Sequence, residues 1–320
     1  MHLEVKNLVK YYKKGRLIIK GLDFSIKKGE IISFIGESGS GKTTFLKCIS
    51  GLEDINSGKI ILNGVVLNSE KKFVEPQKRK VGFIFQDYAL FPHLNLRENI
   101  TLNLDSKHLK NLSYMLDLTD LNALVERYPH ELSGGEQQRA CIARALIREP
   151  EILLMDEPFS NLDSSIKRTI IDEIYKIIKK TNITTILVTH DINDSLSISD
   201  KILIFKSGVL QQFDRPVEMY CNPANCYCAK ILGDLNKIKV GRKDMFIRPE
   251  NIKIVSKSNY KVIVKTCYYQ GRNYKVKCIH GMETWYIFSK EYYEINQEIF
   301  IDFERDSLMY FDENCRNHFV

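Results

Sequence analysis

Short, almost wholly apolar runs punctuate the first two thirds of this chain, separated by stretches whose apolar residues recur with the helical period. The runs predict strands at Glu30–Ile35, Lys80–Phe85, Ile152–Met155, Thr184–Val188 and Lys201–Phe205. The periodic stretches predict helices over Lys42–Ser50, Gly135–Arg148, Ser164–Lys180 and Asp191–Ser197. Gly51 stands where a glycine ends a helix, and Pro150 closes the second of these helices. Strands alternating with helices predict an α/β core, a parallel sheet wrapped by helices.

Both flanks of this pattern differ from it. Leu3–Leu8, Leu22–Ile26 and Lys59–Leu62 alternate apolar and polar residues, and Asn63-Gly64 is a tight-turn pair. A small antiparallel sheet beside the parallel one is expected. From about Asn236 the pattern becomes purely that of short strands: Tyr260–Thr266, Tyr274–Ile279, Thr284–Phe288 and Glu298–Phe303, with Gly271 and Gly281 in turns. The expected organisation is therefore 1–235 as one domain and 236–320 as a small all-β barrel.

Composition bounds this picture without changing it. A chain of 320 residues has room for two domains, and 44% hydrophobic with 27% charged residues is ordinary for a globular protein. The formal net charge of +7 suits a membrane surface or an anionic ligand, but a lysine-rich solvated surface is the expectation for most of these charges. No apolar run nears the roughly 20 residues of a membrane helix, so any spanning belongs to a partner. Met1-His2-Leu3-Glu4 reads as an opening without a secretory leader, so the 8 cysteines are expected as reduced thiols. Cys221, Cys226 and Cys228 cluster, but not with paired zinc spacing, and structural thiols are the expectation there.

Chemistry enters at Gly36-Glu37-Ser38-Gly39-Ser40-Gly41-Lys42-Thr43, which fits G-x-x-x-x-G-K-[ST] between an apolar strand and a helix. Glycines let successive N–H groups turn inward around a phosphate, and the positive end of the following helix adds to that field. Gly36, Ser38, Gly39, Ser40, Gly41, Lys42, Thr43 and Thr44 are the expected nucleotide-binding residues, with Lys42 on the β- and γ-phosphates and Thr43 on Mg²⁺. The strand Ile152–Met155 ends in Asp156-Glu157. Asp156 is expected as the second Mg²⁺ anchor, and Glu157 as the residue that polarises the attacking water.

Leu132-Ser133-Gly134-Gly135-Glu136-Gln137-Gln138-Arg139 resembles the signature sequence of ABC ATPases, and it lies before the acidic strand as in that family. The resemblance covers roughly 1–235. It implies a P-loop NTPase core with antiparallel and helical subdomains, the latter at about 87–148, and a C-terminal OB/TOBE-like barrel. It implies ATP and Mg²⁺ as ligands. It further implies a homodimer in which Ser133, Gly134 and Gly135 of one copy face the γ-phosphate held by the other. Gln86 resembles the glutamine that senses Mg²⁺ and the attacking water, Asn161-Leu162-Asp163 the loop that crosses the dimer interface, and His190 the switch histidine. Tyr12, with Tyr11 as its alternative, resembles the aromatic residue that stacks on adenine.

Tyr88-Ala89-Leu90-Phe91-Pro92-His93, Arg215-Pro216-Val217-Glu218-Met219-Tyr220 and Ile247-Arg248-Pro249-Glu250 are similar to importer ATPases of the iron(III) and polyamine group. That likeness implies a peripheral subunit on the cytoplasmic face of the inner membrane, with permease subunits and, indirectly, an extracytoplasmic solute-binding protein as partners. Iron(III) is the expected solute and a polyamine such as spermidine or putrescine the alternative. An ABC ATPase acting on nucleic acid is the reading from a different class. It is disfavoured by a single cassette without an Arg/Lys-rich arm. The stretch between Leu104 and Leu112 is shorter than the family's, and the C-terminal module has room for one barrel.

Overall fold

The computed structural model describes residues 1–12, 15–240, 243–281 and 283–311; residues 312–320 of the expected C-terminal module lie outside these. Two compact units divide the chain, Met1–Cys221 and Asn222–Val320.

The first unit opens with β1 (Leu3–Tyr12), β2 (Arg16–Ile26) and β3 (Ile31–Ile35), then α1 (Lys42–Ser50). It continues through β4 (Ser57–Leu62), β5 (Val65–Ser69), β6 (Lys72–Phe73) and β7 (Val81–Ile84). A helical stretch follows: α2 (Leu96–Thr101), α3 (Ser106–Leu109), α4 (Leu112–Thr119) and α5 (Gly134–Leu146). The unit closes with β8 (Ile152–Asp156), α6 (Ser164–Thr181), β9 (Thr184–Val188), α7 (Ile192–Ile198), β10 (Lys201–Lys206), β11 (Val209–Asp214) and α8 (Pro216–Cys221).

Its main sheet has the order β11-β10-β3-β9-β8-β7, parallel except for the antiparallel edge strand β11. Every residue of β3 and β9 is buried, as expected of strands covered on both faces. Successive side chains serve two different cores. Leu154, Ile186 and Val188 join Phe34, Phe45 and Ile49 on one face, while Leu153, Met155 and Leu187 join Ile142, Leu146 and Ile174 on the other. Phe34 stacks on Phe45 at 4.9 Å, fixing α1 on β3. A slip of one residue in β8 would exchange these faces, so the register that places Asp156 at the strand end is set by core packing.

The smaller sheet, β2-β1-β4-β5-β6, is antiparallel and longer than the sequence pattern suggests, because β1 runs on to Tyr12 through register shifts. The helices α2 to α4 carry no clear sequence period because they are short. Local capping holds two of them: Asn95 and Glu98 form a capping box on α2, and Asp105 accepts the His108 N–H on α3.

The second unit contains α9 (Cys226–Ile231), β12 (Asn236–Val240), β13 (Lys243–Ile247), β14 (Ile252–Val255), β15 (Tyr260–Tyr269), β16 (Tyr274–His280), β17 (Glu283–Ser289) and β18 (Glu298–Phe303). Strands β12 and β13 pair alone, and the others form an antiparallel sheet ordered β14-β18-β15-β16-β17. Its edge strands β14 and β17 approach each other, so the sheet curls into the expected barrel-like form around fully buried Trp285, Val262, Val264 and Ile301. Arg248 is buried and donates to the carbonyls of Ala229, Gly233 and Asp234, which satisfies the end of α9. Cys221 and Cys228 carry thiols, as expected.

Candidate active site

The site gathers at the C-terminal edge of the parallel sheet, where open α/β folds present their loops. The loop from Gly36 to Gly41 joins the fully buried β3 to α1. A side chain at Gly36 is impossible, because its Cβ would lie 2.1 Å from the Phe205 carbonyl oxygen of β10. Lys42 folds back over this loop and donates from Nζ to the carbonyls of Gly36 at 2.8 Å and Glu37 at 2.9 Å. Burial lowers the pKa of this ammonium, while Glu157, Asp156 and Glu37 hold it up. Ser40 Oγ is buried and has no hydrogen-bond partner among the described residues. A buried cation, an unsatisfied hydroxyl and a helix N-terminus in one loop fit a phosphate group. Ser38 and Gly39 are exposed at the loop's crest, and Thr44 is half-buried one residue into the helix beyond Thr43.

Thr43 and Asp156 stand 113 positions apart, yet Thr43 Oγ1 donates to Asp156 Oδ1 at 3.2 Å. The contact exists because β9 alone separates β3 from β8 in the sheet. Burial raises the Asp156 pKa, opposed by the Thr43 hydrogen bond, with the Glu157 charge adding to the rise. A carboxylate and a hydroxyl that converge in a negative, partly buried position are hard oxygen donors suited to Mg²⁺.

Glu157 lies beyond the last residue of β8 and has φ 47°, an uncommon conformation for a side-chain-bearing residue. Its N–H still donates to the Val188 carbonyl at 2.8 Å, so the turn begins after the last ladder bond. The Glu157 carboxylate meets the His190 ring, with Oε2 3.0 Å from Nδ1. His190 is exposed at the end of β9. Behind it, Asp191 caps α7 by accepting the N–H groups of Asn193 and Asp194, and it pairs with Lys167 at 2.5 Å.

Gln86 is exposed, and its carbonyl accepts from Asn161 Nδ2 at 3.2 Å. The loop after β7 is thereby tied to the 161–163 segment, where Asp163 is the exposed N-cap of α6. Ser133 caps α5 in a reciprocal box with Glu136, whose carboxylate accepts the Ser133 N–H at 2.7 Å. Ser133 remains exposed, and its hydroxyl bonds to Glu136. Gly135 is buried beneath it, where a Cβ would lie 2.3 Å from Ile170 Cδ1. Gly134 lies against Leu162, which a Cβ would reach at 3.3 Å. Tyr12 is exposed, and its hydroxyl donates to Glu53 Oε1 at 3.2 Å.

The structure therefore unites Thr43 with Asp156 and Glu157 with His190, and joins Gln86 to the 161–163 segment. It also reveals supports that the sequence reading did not identify. Tyr88 and Ala89, just beyond Gln86, have φ 59° and 49°. Their carbonyls are clasped from α5: the Cys141 thiol donates to Tyr88 O at 2.9 Å and Arg144 Nη1 donates to Ala89 O at 2.7 Å. Lys10 and Glu53 likewise frame Tyr12. None of these pairs is legible in a linear motif, because each joins distant segments.

A family model described as ABC transporter matches residues 19–160. The spermidine/putrescine import ATP-binding protein PotA of Clostridium acetobutylicum is 34% identical, over 96% of this chain and 95% of its own length. The maltose/maltodextrin import ATP-binding protein MalK of Vibrio cholerae is 40% identical, over 72% of this chain and 62% of its own length. A solved dimeric, post-hydrolysis structure of the ATP-binding cassette MJ0796 with ADP and Pi is 30% identical with a TM-score of 0.57, covering 67% of this chain and 98% of that one.

Proposed function

This chain belongs to the ABC transporter family as an ATP-binding subunit of an importer, and on that premise we propose that it hydrolyses ATP at sites shared between two copies to drive polyamine uptake through a membrane permease. The hydrogen bond between Thr43 and Asp156 carries the catalytic part of this reading, because it brings the phosphate loop and the acidic strand into one oxygen-lined position. The solute assignment rests on relatives. The polyamine-import protein aligns across both units, at 96% of the chain, while the maltose-import protein covers 72%. The polyamine alternative therefore replaces the iron(III) expectation.

Lys42 and the N–H groups of its loop would hold the β- and γ-phosphates of ATP. Thr43 and Asp156 would hold Mg²⁺, which neutralises charge developing on the phosphate oxygens. Glu157 takes a proton from the attacking water as its oxygen bonds to the γ-phosphorus and the bond to the ADP oxygen breaks. His190 holds the Glu157 carboxylate in place through the 3.0 Å contact. Positioned general-base catalysis of this kind contributes about 10²- to 10⁴-fold in rate.

One copy would supply the phosphate loop and another Ser133 and Gly135, with the exposed Ser133 at the helix start as the anion-binding edge. ATP favours the closed pair only to the extent that it binds that state better than the open one. Between β7 and the 102–108 segment runs a groove of about 750 Å³ that includes Phe85, Phe91, Arg144 and Arg148. Its lining residues Phe85 and Ala89 flank Gln86 in the chain, and it is the surface proposed to receive a cytoplasmic helix of the permease. No helix among the described residues is long and apolar enough to cross a membrane. The proposed location is the cytoplasmic face of the inner membrane, with a solute-binding protein acting from the other side.

Sedimentation of a Glu157→Gln variant tests the shared site. With ATP and Mg²⁺ it should form dimers, and adding Ser133→Arg should abolish them. A variant that dimerises equally well with Ser133→Arg would overturn the shared-site reading. Uptake of labelled spermidine by cells carrying or lacking this chain, set against labelled iron(III), tests the solute.

A further inference from the structure

Lys10 is a buried lysine that the catalytic reading leaves unused. It lies on β1 two residues before Tyr12, and residues two apart on a strand share a face. Its Nζ sits 5.1 Å from the centre of the Tyr12 ring, within cation–π range. The same ammonium pairs with Glu53 Oε2 at 2.9 Å and donates to the Asp54 carbonyl at 2.7 Å. Glu53 in turn accepts the Tyr12 hydroxyl at 3.2 Å. The ring is thus held at its face by Lys10 and at its rim by Glu53, on an otherwise exposed side chain.

The anchor's position matters as much as its strength. Glu53 and Asp54 follow α1, the helix that begins in the phosphate loop, and the Glu53 N–H still donates to the Lys47 carbonyl at 3.1 Å. Fastening Tyr12 to these residues fixes the aromatic ring relative to the far end of the phosphate-loop helix. A nucleotide must satisfy both places at once, so a ring that is fixed beforehand costs less ordering on binding. Among the described residues Tyr11 has no such frame, and its backbone N–H bonds to Asn56.

We propose that Lys10 is a positioning residue for the base of ATP, holding Tyr12 through Glu53 and the Asp54 carbonyl as a stacking platform registered to the phosphate loop. The inference rests on the nucleotide-site reading above and selects Tyr12 over Tyr11 as the platform.

The test is steady-state ATPase kinetics of the full chain with Lys10→Met, Lys10→Arg, Tyr12→Ala, Tyr11→Ala and the Lys10→Met/Tyr12→Ala double variant. Lys10→Met should raise KM for ATP roughly fivefold, the scale of one cation–π contact, with kcat changed less than about twofold. Lys10→Arg, which restores the cation, should return KM most of the way. In the Tyr12→Ala background, Lys10→Met should add nothing further to KM, whereas a merely structural lysine would still add its effect. If Tyr12→Ala raises KM but Lys10→Met does not, or if Lys10→Met acts equally with and without Tyr12, the inference about Lys10 is overturned while the platform stands. If Tyr11→Ala raises KM and Tyr12→Ala does not, the choice of platform and the Lys10 inference both fall, with the phosphate-site reading untouched.

Discussion

His190 Nδ1 lies 3.0 Å from Glu157 Oε2, joining the ends of two neighbouring parallel strands at the edge of the sheet. Glu157 reaches this position only by adopting φ 47°, which costs on the order of 1–3 kcal/mol for a residue with a side chain. In the proposed mechanism the two residues act as one unit, and this shapes the first prediction. Glu157→Gln should lower kcat by roughly 10²-fold or more while ATP still binds. His190→Ala should also lower it, and the double variant should lose much less than the product of the two effects. Single-turnover hydrolysis of all three variants checks this, and multiplicative losses would show that the residues act independently.

Thr43 and Asp156 make a second pair with a different readout. Asp156→Asn keeps an oxygen acceptor for Thr43 but removes the charge that a divalent cation requires. The Mg²⁺ concentration giving half-maximal ATPase activity should rise by at least roughly tenfold, the lower end of the losses seen when metal sites are disturbed. An unaltered Mg²⁺ titration would remove Asp156 from the metal site.

Gly135 tests the packing beneath the signature segment. A Cβ there would stand 2.3 Å from Ile170 Cδ1, so Gly135→Ala forces α5 and α6 apart or drives Ile170 from its rotamer. The expected cost is about 1–3 kcal/mol. Ile170→Ala added to Gly135→Ala should recover part of that loss, since the clash and the cavity offset each other. Urea unfolding of the single and double variants reads the coupling directly; strictly additive losses would mean that the two side chains do not compete for space.

Acid sensitivity should trace partly to Lys167. Burial alone would raise the Asp191 carboxyl, but the hydrogen bond and charge of Lys167, with the N–H groups of Asn193 and Asp194, outweigh it and hold the pKa below its ordinary 3.8. A depressed carboxylate stabilises the fold above its unfolded-state value, and that contribution is lost as pH falls through the native one. Lys167→Met should therefore destabilise the protein near neutrality, with a gap from the wild type that narrows as pH drops toward about 3. Lys167 lowers the Asp194 carboxyl as well, although burial leaves that group above its ordinary value, so this second ion pair adds to the narrowing and is lost at a higher pH. A gap that stays constant from about pH 6 to about pH 3 would contradict the assignment.

What the sequence determined by itself is what neighbouring residues settle among themselves. The phosphate loop is contiguous, the Ser133–Glu136 capping box spans one turn, and the short, largely apolar runs at β3, β8 and β9 read as strands covered on both faces. These features depend on local backbone hydrogen bonding and on periodicity, and they point to nucleotide chemistry without coordinates. The tertiary structure decided which distant groups meet. Strand order placed Asp156 against Thr43, a left-handed turn after β8 aimed Glu157 at His190, and β1 carried Lys10 to the turn after α1. Tyr88 and Ala89 are held in uncommon conformations by Cys141 and Arg144 of α5. Such meetings follow from which strands lie side by side and in what register, and that is a property of the packed core as a whole rather than of any motif within it.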